Sequence, residues 1–346
     1  MGPAADIALV SLGTTPGLRR SDEAFAGLVR GAGASCEVVR VRIGASGGLR
    51  RHAAVTDLVE ALAARRSARG ASARAIVYST VTAALLHRPP VPYGVRFDAT
   101  AALNRPGLGG AWQRRRERSV LDRAAVLMPV SRGAADEVAG ARPPAVRVPI
   151  PIEPVPGSPA RDVDAVAYAG YPRKRGLELL CAAWSEAAPA GARLVVGGAD
   201  RDKGLRWLRR TGVAEPDGVE WAGELPRERW LELVGRARLF VNASRWEDFG
   251  IAPMEALAAG TPVATVPTPG SFEALPLVGE LAPELVAAEI EAGALAGAIR
   301  AGLGLGEDER ARYAERAVEL LAPYRAEAVA RVVAEEVLPA LGVSRA

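Results

Sequence analysis

The chain has 346 residues, 49% hydrophobic and 24% charged, with a net charge of +4, ordinary for a soluble globular protein long enough for two separate cores. No apolar run approaches the roughly 20 uninterrupted residues of a membrane-spanning helix, and the N-terminus, Met1-Gly2-Pro3-Ala4-Ala5-Asp6, lacks the basic segment of a secretory leader. Charge is uneven: residues 1–152 hold 22 arginines against 11 acids and the remainder 22 basic residues against 29 acids, which leaves the first half open to an anionic acceptor, an anionic membrane surface or a solvated face.

Apolar runs alternate with helical stretches, the pattern of parallel α/β units. In the first half Ile7–Leu12, Cys36–Ile43, Ala75–Tyr78, Tyr93–Phe97, Ala125–Val130 and Val146–Pro149 read as strands. Ser21–Gly31, Val55–Arg69, Gly110–Asp122 and Gly133–Ala139 read as helices. Pro151 to Ala160, with four prolines, reads as a linker. A second series then begins, with strands at Ala165–Ala169, Arg193–Val196, Val219–Trp221, Leu239–Val241 and Val263–Val266. Its helices are Gly176–Ala187, Arg201–Arg210, Arg227–Val234 and Pro253–Ala259, followed by a helical tail from Ala287. Val329, Val332, Val333 and Val337 suit a final helix packed on a surface. The expected domains are 1–152 and 161–322, with a last helix at about 323–341. Cys36 and Cys181 lie in different halves inside apolar segments, which favours free thiols in a reducing cytosol over a disulfide or metal site. Basic residues are nearly all arginine, with lysine only at 174 and 203; abundant Ala, Gly and Pro then suggest a high-GC bacterial genome.

Several segments carry chemistry. Gly13-Thr14-Thr15-Pro16-Gly17 follows the first strand but is too irregular for a dinucleotide fingerprint or a P-loop. Arg114, Arg115, Arg116 and Arg118 cluster beside Trp112; they suit a phosphorylated acceptor, membrane lipid or a solvated helix paired with Glu117 and Asp122. No aromatic-interleaved basic platform supports nucleic-acid binding. Two Asp-x-Asp triplets, at 162–164 and 200–202, read as chance, and no His/Cys cluster has metal spacing. Gly170-Tyr171-Pro172-Arg173-Lys174-Arg175-Gly176 joins a strand to a helix, and its three consecutive cations suit a diphosphate as well as a solvated turn. The most informative run is Glu247-Asp248-Phe249-Gly250-Ile251-Ala252-Pro253-Met254-Glu255. Pro253 fixes a helix start near Gly250 to Ala252, whose unpaired N–H groups and dipole favour an anion. Glu247 would accept hydrogen bonds from sugar hydroxyls, and Glu255 two from vicinal ribose hydroxyls. Spacing alone also allows a surface loop acid and a solvated helix acid.

From Ser244 to Val263 the chain resembles the nucleotide-sugar signature of family 4 retaining glycosyltransferases, and Gly270-Ser271-Phe272-Glu273 looks like that family's Gly-x-x-Glu turn. The resemblance implies the GT-B fold, α/β with two doubly wound Rossmann-like domains facing a central cleft, the first binding acceptor and the second a nucleotide sugar. It implies that Glu247 contacts the donor sugar and Glu255 the ribose, while Phe249, Gly250 and Ile251 meet the sugar and phosphates with their backbone. Gly170 and the cations after it look like the family's diphosphate element; Tyr171 replaces the usual arginine, Arg175 fits the lysine position, and Arg173 or Lys174 substitutes for the arginine. Many relatives carry a histidine where this chain has Phe97, so Asp98 is the candidate to orient an acceptor hydroxyl or the sugar. His87 reads as a loop residue. Gly13, Thr14 and Asn104 would border the acceptor, and the last helix would return to the first domain. The implied activity is metal-independent hexosyl transfer with no cofactor, from a UDP- or GDP-linked sugar to an unidentified acceptor, anionic or lipid-linked. A cytoplasmic location follows, with peripheral membrane contact open to the basic half. A GT-B epimerase or hydrolase, or a non-catalytic nucleotide-sugar binder, remains the alternative.

Overall fold

Runs such as Ile7-Ala8-Leu9-Val10, wholly inaccessible on both faces, form strands that must be covered by helices on both sides, and that is the organisation of the computed structural model, which describes residues 5–42, 53–155 and 161–343. The chain divides into two compact units, residues 1–151 with 326–346, and residues 152–325. Ile43, the first four residues and the linker's Pro156 to Ala160 lie outside the described residues.

The first unit holds β1 (Ala5–Ser11), β2 (Cys36–Arg40), β3 (Ala73–Tyr78), β4 (Tyr93–Phe97) and β5 (Val126–Pro129), all parallel, in the order β2-β1-β3-β4-β5. β1 sets the register on both sides, with Ile7 opposite Cys36 and Ala75. The helices are α1 (Pro16–Gly31), α2 (Ala53–Ala68), α3 (Val81–Ala84), α4 (Ala101–Asn104), α5 (Ala111–Leu121) and α6 (Arg132–Asp136). Ala8 and Val10 pack with Ala61, Ala64 and Ala68 of α2, while Ile7 and Leu9 pack on the opposite face with Phe25 and Val29 of α1. Val146–Pro149, expected as a strand, forms only a bridge of Ala145 to Leu127 and two backbone bonds, from Val146 N–H to Leu127 O and from Val148 N–H to Pro129 O, both 2.9 Å. Pro143, Pro144, Pro149 and Pro151 remove the donors a ladder would need.

The second unit holds β6 (Val163–Tyr168), β7 (Leu194–Gly197), β8 (Val219–Gly223), β9 (Ala237–Asn242) and β10 (Val263–Thr265), parallel in the order β10-β9-β6-β7-β8. Its helices are α7 (Leu177–Ala187), α8 (Arg201–Thr211), α9 (Arg227–Arg236), α10 (Ile251–Ala258), α11 (Ala274–Leu281), α12 (Ala292–Gly304) and α13 (Glu307–Leu320). The chain winds from β6 through β7 to β8 on one side and returns through β9 to β10 on the other. The carboxyl ends of β6 and β9 therefore form a topological switch point, where doubly wound sheets accept ligands. A core of α7, α12 and the sheet surrounds Trp184.

The tail returns to the first unit as α14 (Ala326–Val332), a π-helical turn at Val333–Val337 and α15 (Leu338–Ala340). Val329, Val333, Val337 and Leu338 are buried against α1 and β1. Pro339 cannot continue an α-helical hydrogen-bond ladder, and the widened turn before it accommodates the missing donor. Trp184 is fully enclosed, so Trp184→Ala should cost about 3–5 kcal/mol of unfolding free energy, measured by denaturant titration; a loss below 1 kcal/mol would mean that this core collapses to fill the space.

Candidate functional site

The turns leaving β6 and β9 meet at the switch point. Arg245 N–H donates to Lys174 O at 2.8 Å, stitching the two together. Glu247 is held by its own N–H, which donates to Pro269 O at 3.0 Å, and Gly270 lies against it with a φ of +109°. A Cβ at position 270 would stand 2.1 Å from Glu247 O, so only glycine lets the chain pass there. Gly250, at a φ of +82°, caps α10 without a side-chain hydrogen bond to its N-terminus. The helix therefore presents N–H groups and the positive end of its dipole beside Phe249, Gly250 and Ile251.

The structure brings Arg175 and Glu247 together: the guanidinium Nη1 donates to Glu247 Oε2 and lies 3.4 Å from Ser244 Oγ. Its Cζ sits 5.5 Å over the Tyr168 ring, and burial lowers its pKa. Its Nε has no partner among the described residues. Lys174 Nζ turns to Asp248 Oδ2 at 3.1 Å, and Trp246 Nε1 donates to the same carboxylate at 2.7 Å. Arg173 stands exposed on the same turn. Gly170 O accepts from Lys203 Nζ of α8 at 2.7 Å, a cation that sequence reasoning passed over, although it is one of two lysines in an arginine-dominated chain.

Glu255 is no solvated helix acid. It is 3% exposed, receives Arg227 Nη1 on Oε1, and receives Trp230 Nε1 on Oε2 at 2.9 Å. Both partners belong to α9, and neither was marked by any motif. Glu273 of the downstream turn is likewise buried and accepts from Tyr324 Oη. Asp200, of one Asp-x-Asp triplet, caps α8 by accepting from Lys203 N–H at 2.7 Å.

In the first unit Gly13 and Thr14 follow β1, Asp98 follows β4 as an exposed residue, and Asn104 ends α4. Phe97 is buried in the core. The segment after Asp98 is fixed by two carboxylates. Glu137 Oε2 accepts Thr100 N–H at 2.9 Å, and both oxygens of Glu117 accept Ala101 N–H, at 2.8 and 2.9 Å. This corrects the expectation that Glu117 pairs with the arginine cluster: it points inward and is buried, Arg116 Nε donates to Leu85 O at 2.7 Å, and Arg114 donates to Arg105 O.

Residues 163–304, the span from β6 to α12, match the family model described as glycosyl transferases group 1. No curated protein matches the chain. Among solved structures it resembles sucrose-phosphate synthase from Thermosynechococcus elongatus, at 18% identity and a TM-score of 0.70 over 94% of this chain and 96% of that one. It also resembles Anabaena HepE in complex with UDP-glucose, at 14% and 0.70 over 96% and 99%. A third is WaaG, a glycosyltransferase of lipopolysaccharide biosynthesis, at 16% and 0.68 over 95% and 100%. These likenesses establish the fold, two parallel-sheet α/β domains of the GT-B type.

Burial pushes the Glu117 carboxyl up from 4.5 to about 7, helped by neighbouring Glu137 and opposed by the Ala101 N–H bonds. A raised acid pKa means that the folded state prefers the protonated form. The stabilisation is then complete below the unfolded value and is lost as pH rises through the folded one. Glu117→Gln keeps an acceptor and removes the titration. Against that variant the wild type should lose about 2–3 kcal/mol of unfolding free energy between pH 5 and pH 8; parallel pH profiles in urea would show the carboxylate to be comfortably ionised instead.

Proposed function

We propose that the chain is a retaining glycosyltransferase that moves a sugar from a nucleoside-diphosphate donor to an acceptor hydroxyl. The observation that carries the reading is the contact of Arg175 with Glu247 beside the uncapped start of α10. The group 1 domain over 163–304 and the resemblance of Ser244 to Val263 to the family 4 signature support it. UDP-glucose in the HepE structure supports a UDP-linked donor, with GDP as the alternative base.

The chemical difficulty is departure of the diphosphate. Negative charge grows on it while positive charge grows on the anomeric carbon. Arg175, Arg173 and Lys174 with the α10 N-terminus supply fixed countercharge, so the reading needs no metal. The diphosphate takes over Arg175, and Glu247 turns to the sugar hydroxyls and the oxocarbenium-like centre. The acceptor oxygen forms its bond to the anomeric carbon from the face where the carbon–phosphate oxygen bond breaks, and its proton passes to a phosphate oxygen. Arg227 and Trp230 fix the Glu255 carboxylate to receive the ribose. Gly13, Thr14, Asp98 and Asn104 border the acceptor, which is anionic or lipid-linked on this reading. No helix among the described residues is long and apolar enough to cross a membrane; free Cys36 and Cys181 suit a reducing cytoplasm, with contact at the membrane face open to the basic half.

Glu255→Gln should weaken donor binding by about 1.5–3 kcal/mol, the range for a hydrogen bond to a charged group, in a calorimetric titration with UDP- and GDP-sugars. Arg175→Ala should lower both turnover and donor affinity. Unchanged donor affinity in both variants would remove the site from this region. Incubation with donor alone, giving free sugar or an isomer without acceptor, would move the reading to a hydrolase or epimerase.

A further inference from the structure

A pocket of about 570 Å³ opens in the first unit at the amino ends of β3 and β4, away from the strand ends that lead to Gly13 and Asp98. Four guanidiniums line it: Arg65 and Arg69 from the end of α2 and just beyond it, Arg88 from the segment before β4, and Arg116 from α5. No acid is in the lining, and none of Arg65, Arg69 and Arg88 forms an ion pair with a carboxylate among the described residues. Arginines elsewhere do so: Arg193 binds Glu220 and Arg201 binds Glu215. Like charges gathered in one concavity repel until an anion joins them.

Two of the lining groups are held in place. Arg116 is fixed by its bond to Leu85 O. His87 Nδ1 shares a hydrogen bond with Tyr78 Oη, whose pKa burial raises so that it stays a neutral phenol. Burial and the charges of Arg69 and Arg65 lower the His87 pKa, which favours the neutral ring. Ile76, Leu86 and Val91 give the pocket an apolar floor.

We propose that this pocket binds a phosphate ester, its phosphate gripped by Arg65, Arg69, Arg88 and Arg116 and its carbon body resting on the apolar floor. Guanidinium forks match phosphate oxygens in pairs, and a dianion neutralises more of the cluster than a carboxylate does. The ligand is separate from the sugar donor, whose candidate groups lie in the second unit. Two sources carry this chemistry, a soluble metabolite and a lipid headgroup. The second is worth testing because Val55, Leu58 and Leu62, all exposed, lie along α2 on the face that leads to Arg65 and Arg69.

The test titrates the full chain with glycerol 3-phosphate by calorimetry, and with phosphatidate in phosphatidylcholine vesicles by co-sedimentation. Saturable binding of either probe is expected. Arg69→Gln with Arg88→Gln should weaken it by at least about tenfold, as expected for two lost charge-assisted contacts, while melting as the wild type does. Arg209→Gln with Arg210→Gln, the same charge change on α8, should leave it within about twofold, since that helix belongs to the other unit and contributes nothing to the pocket lining. Binding of glycerol 3-phosphate assigns a soluble ligand, and binding of phosphatidate vesicles alone assigns a headgroup. No binding of either probe overturns the proposal. So does equal weakening in the two double variants, or binding lost in Arg175→Gln and kept in Arg69→Gln with Arg88→Gln.

Discussion

The close meeting of two turns, one from β6 and one from β9, is the constraint on which the candidate site depends. At Gly176, with a φ of +59°, a Cβ would stand 2.0 Å from Ala243 O, so any larger residue would push the turns apart. Their approach sets Arg175 against Glu247, a pair largely removed from water. Desolvation makes such a pair a poor source of stability, and removing either partner leaves the other as a buried charge. A contact of that kind is easier to understand as a functional arrangement than as a structural one. The Nε of Arg175, buried without a partner among the described residues, points the same way.

The strands of both sheets were legible because burial on two faces demands continuous apolar sequence, and periodicity located them to within a few residues. Pattern failed where proline changed the backbone. Val146–Pro149 has the apolar character of a strand without its donors, and α11, for which no helix was expected, contains Pro276 and Gly279, both poor helix formers. The glycines at 250 and 270 both occupy left-handed backbone that other residues avoid, although Gly270 was marked only by its resemblance to the family's turn.

Side-chain partners were far less legible than positions. The acids at 247 and 255 were singled out by their spacing and neighbourhood, but nothing in the sequence announced that Arg227 and Trp230, 28 and 25 residues earlier, would hold Glu255. Lys203 reaches Gly170 across 33 residues for the same reason. In the first unit the charge cluster on α5 drew attention outward, whereas the α5 residue that, with Glu137, fixes the segment after Asp98 is Glu117, which faces in. Long-range pairing of this sort is set by the winding order of the strands, and local pattern does not carry it.

The tail also decides the order in which the molecule can be made. Val329, Val333 and Val337 complete a core begun by Ile7 and Leu9, while everything from 152 to 325 belongs to the other unit. During synthesis the middle of the chain can therefore finish folding first, and the unit whose residues leave the ribosome earliest must wait for the last of them. A fragment ending near Pro151 would carry a complete sheet with one face covered by α1 but lacking the tail's valines.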